Sequence, residues 1–183
     1  MDLHVALHTR RTIHTWTDGP EDPAVLDRAL RAAHMAPCHR LTWPWRFHVV
    51  GPQTREMLIP IAITEKERKA PLADAQRASL TRAWRAPTWL VLVSYEHGPK
   101  PDVTQENYAA TACAIQNFML SIHADGMGTK WGTGGVVRAP ETCTLLGLDP
   151  ERATFAGLLW VGHPAEVPEI PRPPIEGFIH RLP

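Results

Sequence analysis

Neither charge is in surplus: 19 Lys and Arg stand against 19 Asp and Glu in 183 residues. That balance removes the global field that draws a protein to nucleic acid or to an acidic membrane surface. Cysteine is scarce. Cys38, Cys113 and Cys143 are odd in number, widely spaced and without a CxxC pair, which argues against a disulfide framework or a thiolate zinc site. No uncharged run is long enough to span a bilayer. The opening MDLHVALHTRR also lacks the apolar stretch and small-residue cleavage site of a signal peptide, so a reduced, cytoplasmic setting is expected. Neither GxGxxG nor a Walker pattern occurs, so a Rossmann or P-loop phosphate site is not expected. His4 and His8 have ligand spacing on a helix, but no carboxylate or thiol completes the set, and no metal is expected.

What the chain does have is tryptophan and proline, seven and eighteen residues respectively. Many prolines close apolar runs and punctuate elements. From Val167, however, VPEIPRPPIEGFIHRLP is a Pro-rich tail that cannot fold alone, and it is expected to lie along a neighbour, such as a second subunit. Residues 1–183 read as one domain with a sizeable core.

Hydrophobic spacing organises the rest around Thr104–Gly134. Its first twenty-odd residues lack Gly and Pro and carry Ala, Cys, Ile, Phe and Met over most of a helical cylinder, as in a core or a subunit interface. Gly126 and Gly128 are expected to cap it, with Lys130-Trp131-Gly132-Thr133-Gly134 as a loop beyond. Met1–Thr9 reads as a short helix with Leu3 and Leu7 on one face. A turn is expected over 15–20, and Asp22 and Pro23 open a helix to His34. Trp45–Val50, Thr88–Tyr95 and Thr154–Val161 read as strands, the middle one buried and central. Helices are expected over 54–63 and 139–146, and charged, solvated helix and loop over 65–85. The sum is an α+β fold, a small sheet surrounded by helices.

Two clusters could carry chemistry. Arg10-Arg11-Thr12, at a helix end, offers two guanidiniums and a hydroxyl for a phosphate, and Arg172 in the tail could join them if the tail folds back. Ala36–Trp45 gathers His39, Arg40, Trp43 and Trp45 in one loop, ready for a planar partner. Cys38 and His39 are adjacent, but adjacent side chains diverge and no third residue orients them as a nucleophile and base.

Taken in order, RRTIHTWTDG, APCHRLTWPWRF, RAPTWLVLVSY, ENYAATACAIQNFMLSIHADGMGTKW and FAGLLWVGHP resemble the flavin-dependent nitroreductase family, in particular its minimal, short branch. The resemblance implies a mostly antiparallel sheet in a domain completed by dimerisation, the long helix in the interface and the tail on the partner. It implies an FMN-dependent NAD(P)H oxidoreductase, with ping-pong hydride transfer from NADH or NADPH to FMN and on to a small electron-poor acceptor such as a nitroaromatic or quinone. By position, Arg10, Arg11, Thr12 and Arg172 would hold the phosphate and ribityl chain. Met35 would touch the flavin, as would His39 from the other subunit. Trp131, Gly132 and Thr133 would line the ring, and His14 would stand near its pyrimidine edge. No side chain is nominated as a catalytic acid or base, because the cofactor carries the chemistry.

The chain departs from the family pattern at Cys38, Leu41 and Trp43, where a Ser and an Asn usually precede Gln-Pro-Trp. Polar contacts to the flavin are lost there unless main chain or His39 and Arg40 replace them, and Trp43 is expected to narrow the acceptor pocket. His14 replaces a Lys or Arg, so it stabilises negative charge on a reduced flavin less than a fixed cation. The altered loop keeps a second reading open, a flavin-binding or ligand-sensing protein on the same dimeric fold.

Overall fold

The computed structural model describes residues 1–183 and is built outward from strand β3, Trp89–Glu96, whose residues 89–94 are all buried. A run of apolar and β-branched residues without polar alternation suits a strand covered on both faces. Strand β2 (Trp45–Val49) pairs with one edge of β3, and β5 (Ala153–Pro164) with the other. The far edge of β5 receives two short strands, β4 (Gly128–Gly132) along residues 158–162 and β1 (Trp16–Thr17) along 163–164. All four strand pairs are antiparallel. A single parallel bridge, Thr12 to Thr129, lays residues 10–14 alongside β4.

Seven helices surround this sheet: α1 (Leu3–Thr9), α2 (Pro23–His34), α3 (Pro52–Glu67), α4 (Asp74–Arg85), α5 (Pro101–Ala124), α6 (Gly135–Arg138) and α7 (Pro140–Leu146). Alternation along β3 sorts them. Val91 and Val93 face α2 and α5, where Ala33, Ile115, Phe118 and Ile122 are fully buried. Leu90 and Leu92 face the opposite layer, with Leu58 of α3, Trp84 of α4 and Val137 of α6. Each large side chain so buried contributes roughly 1.5–3 kcal/mol of transfer free energy. The α+β expectation holds.

Local chemistry accounts for most boundaries. The Asp22 carboxylate accepts from the Ala24 N–H at 3.0 Å to cap α2, and Asp2 caps α1 in the same way. Gly126 ends α5 at φ +81°, a left-handed conformation that costs glycine nothing. Gly128 does not cap the helix. It begins β4, and a Cβ there would collide with Ile13.

Several expectations need correcting. Residues 16–17 form β1 rather than a turn, and 128–132 form a strand rather than a loop. Helix α3 runs on to Glu67 through Pro60, because Pro60 lies on the exposed side and the carbonyl it leaves unpaired belongs to the exposed Glu56. The helix expected within 65–85 falls at 74–85 and is not wholly solvated, since it buries Trp84. Strand β5 continues past Gly162, where glycine allows close approach of Trp16 and the Thr88 backbone. Helix α5 buries one side, while Tyr108, Ala109 and Cys113 remain exposed.

Candidate functional site

The Arg10-Arg11-Thr12 segment leaves α1 and is fastened to the edge of β4 by the Thr12–Thr129 bridge and by the Ile13 N–H donating to the Thr129 carbonyl at 3.0 Å. The attachment fixes a direction: Arg10 lies beside the start of β4, and His14 farther along toward its end. From Thr129 to Gly132 the strand advances about 10 Å.

At the Arg10 end lies a small cleft of about 130 Å³, lined by Arg10, Arg11, His123, Gly128, Thr129 and the tail residue Val167, among others. No carboxylate lines it. The tail also returns Arg172 to this place: burial first, and then the charges of Arg172 and Arg11, lower the Arg10 pKa. His123 is held low in turn by burial and by the same two arginines, Arg10 and Arg11. Arg11 spends one nitrogen on the carbonyls of His8 and Arg10, whereas neither Arg10 nor Arg172 meets an acid.

Thr129, the least expected member, is 1% exposed, and its hydroxyl is one of only two buried polar side-chain atoms without a hydrogen-bond partner. Leaving such a group unpaired costs about 1–3 kcal/mol. Three cations without a counter-acid beside an unpaired hydroxyl suit a phosphorylated, hydroxyl-bearing ligand. Thr129 was not expected because GTKWG did not read as a strand, so no alternation was assigned to it; His123, in the last turn of α5, joins the cleft only through the fold.

At the other end, His14, Gly132 and Thr133 lie together at the mouth of a second, larger cleft. Trp131 is different. Its indole packs, partly buried, against the α2–α5 core and donates to the Ala156 carbonyl at 3.2 Å. Gly132 has a reason unconnected with any ligand, since a Cβ there would come within 2.7 Å of the Trp160 ring.

Met35 and His39 are not brought to either cleft within one chain. Met35 ends α2 and is 79% exposed. His39 lies in a short 3-10 turn, His39–Leu41, and approaches Glu106 at 4.0 Å, as Arg40 does at 3.8 Å. Glu106 and His123 are separated by about 25 Å along α5. Cys38 and His39 do not pair: the Cys38 sulfur accepts from the Trp43 N–H at 3.2 Å while His39 turns away to Glu106.

Known proteins agree with this architecture. The Bacillus subtilis (strain 168) protein named "Putative NAD(P)H nitroreductase YfhC" is 30% identical over 171 residues, covering 92% of this chain and 87% of that protein. A nitroreductase-like family protein from Bacillus cereus superposes with a TM-score of 0.84 at 24% identity, over 100% of this chain and 96% of the other. A structure described as a "putative nitroreductase in complex with fmn" from Desulfovibrio desulfuricans gives 0.74 at 24% identity, over 97% and 95%. The model of the nitroreductase family matches residues 7–163. This span takes in the arginine pair, the β4 edge and the long helix, and the chain belongs to the nitroreductase family.

Proposed function

We propose that this chain is an FMN-dependent NAD(P)H oxidoreductase of the nitroreductase type, acting as a homodimer of one nitroreductase-like domain per chain. The observation that carries the proposal is the meeting of Arg10, Arg11 and Arg172, unneutralised, with the unpaired Thr129 hydroxyl. The Desulfovibrio neighbour described with FMN and the Bacillus relative named for NAD(P)H supply the cofactor and donor by likeness. Arg10 and Arg172 would hold the phosphate by charge-assisted bonds. Thr12 and Thr129 would meet the ribityl hydroxyls, and His14, Gly132 and Thr133 would border the ring. FMN, when bound, would supply the redox chemistry between NADH or NADPH and an electron-poor acceptor, in ping-pong order. The protein's part is to bind, orient and adjust charge, so no side chain is assigned as a proton donor or acceptor.

The dimer is supported by what one chain leaves uncovered. Leu3 and Leu7 of α1 and Ile170, Phe178 and Leu182 of the tail are exposed, together with the Ala109–Cys113 side of α5. A two-fold contact that crosses two α5 helices antiparallel repeats every pairing symmetrically. With its axis near residue 114, midway between 106 and 123, it would set His39 of one chain beside Arg10 and His123 of the other. The tail, 167–183, would then lie on the second subunit.

The test begins with purified protein supplied with FMN. The expected result is a yellow dimer that NADH or NADPH bleaches under anaerobic conditions and that a nitroaromatic or quinone turns yellow again. A yellow protein that neither donor bleaches would be the flavin-binding or sensing alternative. A protein that stays colourless after FMN loading would overturn the proposal.

A further inference from the structure

The second cleft, about 660 Å³, lies between the C-terminal end of α3, α4 and the end of β4, within the usual size range for small-molecule sites. Its walls combine two features seldom placed together by accident. Trp84 and Trp160 meet edge to face at 5.7 Å, and Trp16 stands nearby, which gives the cleft aromatic surface suited to a flat ring. Five cationic side chains line it against a single carboxylate, Glu65, and that carboxylate is already paired with Arg68 at 3.0 Å.

Lys66 and Lys130 make no ion pair. Lys130 projects from β4 directly opposite Trp160 and holds its ammonium 4.8 Å from the centre of that ring. Burial and the charge of Lys66 both disfavour its protonated form, so a ligand's anion would relieve two like charges held together. The mouth, at His14, Gly132 and Thr133, is shared with the proposed flavin edge.

We propose that this cleft selects the oxidising substrate, and that the acceptor is a flat aromatic or quinoid molecule bearing a carboxylate or similar anion. The ring lies against the tryptophans, and the acid is held by Lys130 and Lys66. The inference rests on the flavoenzyme reading above and adds the chemical class of acceptor. It makes Lys130 and Lys66 specificity residues with no part in holding the cofactor.

The experiment uses 4-nitrobenzoate and its neutral isostere 4-nitrobenzamide as probes, with calorimetric binding to FMN-loaded protein as the first readout and kcat/KM as the second. The acid should bind about tenfold more tightly than the amide. Lys130→Met, which keeps the stem over Trp160, should abolish the preference while leaving amide binding and FMN affinity as in the parent. Lys66→Gln, at an exposed position where folding is not in question, should reduce it. Equal binding of acid and amide by the parent overturns the proposal, as does a preference that survives both substitutions. It also fails if the variants lose FMN, which would give the cleft to the cofactor. It fails again if they slow reduction by NADPH but not NADH, which would give the lysines to the donor's phosphate. Protein that stays colourless with FMN removes the flavoenzyme reading and this one together; yellow protein indifferent to the acid removes this one alone.

Discussion

Residues 10–14 and residues 35–43 were both expected to touch the same ligand, yet the fold treats them in opposite ways. The first segment is tied to β4 by backbone hydrogen bonds, and its cations converge on a cleft within one chain. The second is displayed outward near the other end of α5, with Met35, Leu41 and Trp43 exposed. Its backbone is also strained. Arg40, Leu41 and Trp43 have φ of 59°, 54° and 41°, each at a cost of about 1–3 kcal/mol for a residue other than glycine. Asn107, buried in α5, offsets part of that cost by accepting from the Thr42 hydroxyl and donating to the Glu96 carbonyl, both at 2.9 Å. Within a single chain, of the two segments only residues 10–14 are brought to the proposed phosphate cleft. In the proposed dimer the loop half would serve the ligand of the other copy.

The largest effect should come from removing residues 167–183. The cut takes away both Arg172 and the exposed apolar residues of the tail, so the expected outcome is a monomer by sedimentation with FMN affinity reduced more than about 100-fold. Arg172→Ala separates the two losses, since it should weaken FMN while leaving the dimer intact. A truncated chain that remains dimeric and yellow would show that the tail is ornament and that the two halves of the site do not depend on it.

Arg10→Ala comes next, with an expected loss of about 10- to 100-fold in FMN affinity, the value of one or two charge-assisted bonds. This substitution also tests whether the two segments meet across chains. Co-expression of Arg10→Ala and His39→Ala chains should yield mixed dimers in which one site carries both changes and the other neither. Those dimers should bind one FMN with parental affinity. If mixed dimers bind no better than either parent variant, Arg10 and His39 do not serve the same ligand.

How far all this could be read from the residues depends on whether local pattern or distant pairing decides each element. Helix α5 and strand β3 were legible because their patterns are self-sufficient: one lacks internal helix breakers and ends at Gly126, the other opens with an unbroken apolar run of Trp, Leu and Val. Strand β4 was not legible. Gly128 and Gly132 read as turn residues, and only pairing with β5 makes the segment extended. The glycines serve neighbours instead, Gly128 making room for Ile13 and Gly132 for Trp160. The same blindness hid Thr129 and Lys130, whose side chains matter only once the strand assigns them to opposite faces. Arg172 was legible as a free cation in a tail with no fold of its own, though nothing local placed it beside Arg10.

A smaller effect should separate the strained loop from the clefts. Asn107→Ala removes both hydrogen bonds of a buried side chain, at about 1–3 kcal/mol. For a chain of this length that lowers Tm by about 2–4 °C per kcal/mol. FMN affinity should change less than in Arg10→Ala, because the clefts are built from other elements. An unchanged Tm would mean that the positive-φ loop is held by something other than Asn107.

The smallest expected effect is a pH dependence at the phosphate end. In the ligand-free protein the pKa of His123 lies below the ordinary 6.5, through burial first and then the charges of Arg10 and Arg11. Because the folded value is depressed, the stability it represents is complete above about 6.5 and is lost as pH falls through the folded value. A phosphate bound to the two arginines offsets their charge and lets His123 rise back toward 6.5, so binding takes up a fraction of a proton between the two values. Uptake on binding means that affinity increases as pH falls through that window. FMN's own phosphate opposes this trend, since its second ionisation near pH 6 leaves less dianion at lower pH. The quantity that isolates His123 is therefore the difference in FMN affinity between the parent and His123→Gln, measured from pH 7.5 down to pH 5.5. That difference should shift in the parent's favour as pH falls, because only the parent carries the imidazole that takes up the proton. Parallel profiles would place the bound phosphate away from the Arg10–Arg11 pair, and would weaken the claim that residues 10–14 serve the phosphate cleft within one chain.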